Sequence, residues 1–140
     1  MSYNIEPTPD GKLQILGQTN LPDGTRINVR MRGKSVVYDS LSEIRVRDGQ
    51  FRSAEFSDEK RALQIGQYWV TSTMVLSTMQ PPFVREIIGK YGENLSGELV
   101  RRYEDSSATI VVGKHFILNS DETVSIIIKP KTVESPDSEP

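Results

Sequence analysis

The stretch Arg26-Ile-Asn-Val-Arg-Met-Arg32 alternates strictly between polar and apolar residues. Successive residues of a β-strand point to opposite faces of the sheet, so Ile27, Val29 and Met31 share one face. The alternation therefore predicts a strand with one face in a core and the other in water. The preceding segment, Asn20-Leu-Pro-Asp-Gly-Thr25, contains the proline and glycine that a tight turn requires.

Further short segments of the same kind lie on either side of this strand. Glu43-Ile-Arg-Val-Arg47 also alternates, and the Asp48-Gly49 pair that follows is a strong hairpin signal. A single short helix is predicted over Phe83–Tyr91, after Pro82. The remaining predicted strands are rich in β-branched and aromatic residues and cover 12–16, 51–56, 66–79, 98–103, 108–118 and 123–129.

These elements predict an all-β fold, an antiparallel β-sandwich of about seven or eight strands with one short helix. The 140 residues suffice for one domain with its own core. We expect a flexible lead-in over residues 1–11, the sandwich over residues 12–131 and a disordered acidic tail over residues 132–140.

Three sequence segments resemble segments of the immunoglobulin-like and transthyretin-like sandwich modules of bacterial extracytoplasmic proteins. These modules include the regulatory domains of some carboxypeptidases. The three segments are Asn20-Leu-Pro-Asp-Gly-Thr25, Asp48-Gly-Gln-Phe51 ahead of Phe56, and Gly66-Gln-Tyr68. The chain departs from that pattern at Ile65, where proline is usual. The resemblance covers roughly residues 12–79. It implies an immunoglobulin-like fold and a periplasmic or secreted setting, and it implies no activity.

The composition narrows the function classes further. The charge is nearly balanced at a net −2, which argues against a nucleic-acid partner, and no segment has the roughly 18 apolar residues of a membrane span. There is no cysteine, so thiolate metal sites and cysteine nucleophiles are excluded. The N-terminus lacks a signal peptide, so a periplasmic or secreted protein would need one removed, and the alternative location is the cytoplasm.

The sequence predicts no catalytic, cofactor or metal site. His115 is the single histidine, and no His-Glu-x-x-His or Gly-x-Ser-x-Gly motif is present. We therefore expect no enzyme, with a small hydrolase built on His115 as a remote alternative. Replacing His115 with alanine is expected to leave any activity intact.

The arginine residues are the one uneven feature of the charge distribution. On alternation, Arg26, Arg30 and Arg32 share the wet face of one strand, and Arg45 and Arg47 share that of another. If the two strands are neighbours, these five side chains form one anion-binding patch. An immunoglobulin-like strand order can instead place them in opposite sheets, and arginines also serve simply to solvate an exposed face.

The Tyr68-Trp69 pair marks the start of the longest predicted strand. Tyr68 shares a face with apolar residues and is predicted to lie in the core, whereas Trp69 shares its face with threonines. Trp69 is therefore expected on the outer surface, as a possible contact anchor, or beneath the helix.

Taken together, the sequence favours a non-enzymatic interaction or structural module whose partner is another protein or a cell-surface component. The alternative is a domain that binds an acidic polymer or nucleic acid through its arginine face. Salt dependence separates the two, because counterion-driven binding weakens steeply as ionic strength rises.

Overall fold

A computed structural model describes residues 1–104 and 107–128, and these residues form a mostly β structure. One α-helix, α1 (Pro82–Ile88), follows a single turn of 3-10 helix at Ser77–Met79. The nine strands are β1 Ser2–Pro7, β2 Leu13–Gln18, β3 Arg26–Gly33, β4 Asp39–Arg45, β5 Gln50–Arg52, β6 Gly66–Met74, β7 Val100–Arg102, β8 Ala108–Leu118 and β9 Val124–Ile127.

The strands form two antiparallel sheets. The smaller sheet has the order β1-β2-β5, and the larger has the order β4-β3-β6-β8, with β7 and β9 both paired to the far side of β8. The prediction of an all-β antiparallel sandwich is confirmed. Within the described residues the strands number nine rather than seven or eight. Neither helix in this part of the chain has the length and apolar character of a membrane span.

The alternating stretch that predicts the fold lies near the middle of the larger sheet, as β3. Ile27, Val29 and Met31 are fully buried on the face toward the smaller sheet. A side chain of this size contributes about 1.5–3 kcal/mol when it is fully buried. A shift of register by one residue would expose all three, so their burial fixes the pairing of β3 with β4 and β6.

The expectation of a flexible lead-in over residues 1–11 is wrong for residues 2–7, which form β1. This strand pairs along its whole length with β2. Tyr3 also reaches across to the larger sheet, where its hydroxyl donates to the backbone oxygens of Val112 and Val70 at 2.8 and 3.3 Å. Pro7 and Pro9 hid the strand from sequence analysis because prolines mark turns. At an edge strand a proline costs little, since half of the N–H groups there bond to no neighbouring strand. The predicted tail, 132–140, lies outside the described residues.

Tyr68 lies in the core, as predicted, and contacts two other aromatic rings there. Its ring stacks on Phe116, with centroids 5.4 Å apart, and meets Tyr38 edge-on at 5.9 Å. Its hydroxyl donates to the backbone oxygen of Gln64, four residues earlier. This is the geometry of a tyrosine corner, which fixes the chain's entry into a sandwich strand.

The burial of Tyr68 has a consequence at high pH. Burial, and after it the proximity of Tyr38 and Asp58, raises the pKa of Tyr68 from 10.0 to about 12. A folded-state pKa above the unfolded value means that stability is fully present below pH 10 and is lost as the pH rises through 12. In an absorbance titration of the tyrosines, we expect a phenol that ionises near pH 12 in the wild type and is absent from Tyr68→Phe. An unfolding free energy that falls equally in both proteins between pH 10 and 12 would contradict this.

Candidate binding surfaces

The arginines of β3 and β4 lie on one face of the larger sheet, because the two strands are neighbours. Arg26 is directly opposite Arg45, and Arg32 is opposite Asp39. With Arg30, these arginine side chains occupy the face that points away from the core. The condition for a single patch is thus met for four of the five predicted arginines.

Two of those four arginines are neutralised by ion pairs along the same strands. Arg30 makes a two-pronged contact with Asp39, with nitrogen–oxygen distances of 2.9 and 2.6 Å. This contact lowers the pKa of Asp39 and raises the pKa of Arg30. Arg26 pairs with Glu43 through Nε and Nη2, which both donate to the single oxygen Oε1. The carboxylates therefore occupy the positions that a ligand anion would need.

The fifth arginine, Arg47, belongs to a different surface. It begins the turn at which the chain leaves the larger sheet for the smaller one. Asp48 and Gly49 take positive φ angles of 51° and 73° at the tip of this turn. Arg47 lines the same surface depression as Arg45, at the end of β4, and Arg52, at the end of β5.

Arg45, Arg47 and Arg52 line a groove where the end of β4 lies beside the smaller sheet, and we call it the arginine groove. It is an open depression of about 710 Å³. The other polar side chains that line it come from β1, β2, β5 and the turn between β4 and β5; they are Ser2, Asn4, Glu6, Gln18, Asp48 and Gln50. Among the described residues, none forms an ion pair or hydrogen bond with the three guanidinium groups.

Trp69 faces away from Tyr68, as the alternation predicts. Of the two positions expected for it, exposed on the outer surface or covered by the helix, the exposed one is wrong. Only 4% of the residue is accessible. Its indole stacks on the imidazole of His115 with centroids 4.2 Å apart, and the ammonium of Lys34 lies 5.1 Å from the ring centroid. The imidazole covers the indole from β8, and the ammonium covers it from the loop after β3. This arrangement depends on how the strands pair and cannot be read from the local sequence. Trp69 is not placed to anchor a partner.

His115 is the other member of this stack. It is buried on β8, directly opposite Trp69 in the strand pairing, and its Nε2 lies 3.1 Å from Oε1 of Gln67. In the described part of the chain, no group of three or more His, Asp or Glu side chains is close enough together to hold a metal ion.

The surface that sequence analysis missed lies on α1 and the segments around it. Val84 and Ile88 face the core, whereas Phe83 and Ile87, four residues apart on another face, are 52% and 59% exposed. The phenyl ring of Phe83 lies over Gly24, where a Cβ atom would come within 2.5 Å of it. The recurrence of apolar residues every four positions was visible in the sequence, but it marks the exposed side of the helix.

The same segment concentrates the exposed apolar side chains of the molecule. Of the twelve large hydrophobic residues that are exposed in the described structure, seven lie between β6 and β8. These seven are Leu76, Met79, Phe83, Ile87, Tyr91, Leu99 and Tyr103, and we call residues 76–103 the apolar excursion.

No protein-family model, curated protein or solved structure matches this chain. The fold and the geometry of the two surfaces define its class, an antiparallel β-sandwich with a polar groove on one sheet and an apolar helical excursion on the other. The resemblance to immunoglobulin-like and transthyretin-like modules stays a prediction. The arginine groove and the apolar excursion are the features of the chain that bear on its function.

Proposed function

We propose that this chain is a non-enzymatic interaction module that docks a partner protein on the apolar excursion. The observation that carries the proposal is the division of α1 into two apolar sides. Val84 and Ile88 complete the core, and Phe83 and Ile87 project into solvent although the core does not need them.

Large apolar residues in such a position are characteristic of contact surfaces. Scattered exposed apolar residues are normal, but a concentration of them bordered by charged residues marks an interaction site. Arg85, Glu86 and Lys90 supply that border on and just beyond α1. Phe83 is preset by its contact with Gly24, so little side-chain entropy would be lost on binding. The matching partner surface is an apolar cleft with a polar rim.

Replacing Ile87 with lysine tests whether the exposed side serves the fold or a partner. Because Ile87 is 59% exposed, we expect the unfolding free energy to stay within about 0.5 kcal/mol of the wild-type value. Val84→Ala, on the buried side, is expected to cost about 1–3 kcal/mol. Chemical denaturation of the two variants and the wild type measures both effects.

Partner binding is measured in parallel. A photo-crosslinking amino acid at position 87 of the full chain, expressed in its native cells, should form one protein adduct, and the same group at exposed Glu55 should not. The purified partner should then bind the wild type and Val84→Ala with similar affinity and Ile87→Lys at least about tenfold more weakly. Equal crosslinking at both positions, or equal affinity for Ile87→Lys, would refute the proposal.

A further inference from the structure

We propose that the arginine groove is a second binding site, and that it takes an extended acidic segment of another protein. This site is separate from the apolar excursion. It is lined by the smaller sheet and the end of β4, whereas the excursion joins β6 to β8 of the larger sheet.

The three arginines of the groove form no ion pair with another described residue, unlike two arginines nearby. On the neighbouring face, Arg26 and Arg30 each have a carboxylate partner. In the groove Arg45, Arg47 and Arg52 have none among the described residues. Guanidinium groups pair with carboxylates through two parallel hydrogen bonds, so the three are available to an acidic ligand.

Uncharged side-chain amides line the groove together with the arginines. Asn4, Gln18 and Gln50 come from β1, β2 and β5, and all three line the depression. Their amides form no hydrogen bond with another described residue. A side-chain amide both donates and accepts, which matches the alternating C=O and N–H groups of an extended peptide.

The residues that line the groove do not suit nucleic acid or acidic sugars. Single-stranded nucleic acid and sugars bind to exposed aromatic faces. The two aromatic residues of the groove, Tyr3 and Phe51, are each only 3% exposed. In addition, Glu6 and Asp48 lie in the lining, where they would repel an unbroken row of phosphates. Separate carboxylates on a peptide can avoid these two positions.

The test compares two variants of the full chain that lose equal charge. Arg45, Arg47 and Arg52 are all changed to glutamine in the groove variant, and Arg32, Lys60 and Arg61, which lie outside both surfaces, are all changed to glutamine in the control variant. Fluorescence anisotropy measures binding to labelled poly-L-glutamate at low salt. We expect the groove variant to bind at least about tenfold more weakly than the wild type, and the control within about twofold. Arg52→Gln alone is measured as well, in case the triple variant does not fold.

Two competitors identify the ligand class, a single-stranded oligonucleotide and polygalacturonate. We expect poly-L-glutamate to bind more tightly than either of them. The site is refuted if the wild type does not bind poly-L-glutamate, or if the control variant loses as much affinity as the groove variant. Tighter binding of the oligonucleotide or of polygalacturonate through the same arginines overturns the assignment to an acidic peptide.

Discussion

Replacing Tyr68 with alanine is expected to lower the free energy of unfolding by about 3–5 kcal/mol, the range for a fully buried aromatic side chain. The change removes the contacts with both Phe116 and Tyr38 and leaves a cavity between the sheets. It also leaves the backbone oxygen of Gln64 without the hydroxyl that it binds. Equilibrium denaturation in urea, followed by circular dichroism, measures the loss.

Two further variants separate the ring from the hydroxyl and from the neighbouring residue. Tyr68→Phe keeps the ring and should cost only about 0.5–1.5 kcal/mol, the net contribution of one hydrogen bond. Trp69→Ala should cost less than Tyr68→Ala, because the flexible side chain of Lys34 can move into part of the space that the indole leaves. A mild Tyr68→Ala beside a severe Trp69→Ala would mean that β6 is out of register by one residue.

The fold could be predicted from sequence wherever burial has a period of two. The apolar positions of β3 face a single core, so the alternation alone gave the strand, its faces and its core residues. It was overlooked for β1, although Ser2-Tyr-Asn-Ile-Glu6 also alternates and buries Tyr3 and Ile5. Pro7 and Pro9 directly after that alternation indicated a loop instead.

The binding surfaces could be predicted only in part. Alternation placed Arg26, Arg30 and Arg32 on the wet face correctly, but it could not show which arginines the carboxylates of β4 would neutralise. Arg47 and Arg52 line one groove because the turn between β4 and β5 carries the chain from one sheet to the other. Trp69 is covered by His115 of β8. The apolar period of α1 fixed a helix but not which side of it faces the core.

The second large effect is expected from replacing Gln80 with leucine. This side chain is 3% exposed and lies directly after the 3-10 turn, at the base of the apolar excursion. Its Oε1 accepts from the backbone N–H of Arg26 at 2.8 Å, and its Nε2 donates to the backbone oxygens of Val75 and Arg26 at 2.7 and 3.1 Å. Gln80 therefore acts as a strand partner at the first residue of β3 and the residue after β6.

Leucine has nearly the same volume but can form none of these hydrogen bonds. The N–H of Arg26 and the oxygen of Val75 would lose their partner, and since each such group costs about 1–3 kcal/mol, we expect a total loss of about 2–4 kcal/mol. Gln80→Glu should be less stable at pH 7 than at pH 4, because only the protonated carboxyl can donate to Val75. Met79→Leu, at the exposed neighbour, should stay within about 0.5 kcal/mol of the wild type. If Gln80→Leu is as stable as Met79→Leu, the excursion is held by the packing of Val84 and Ile88 alone.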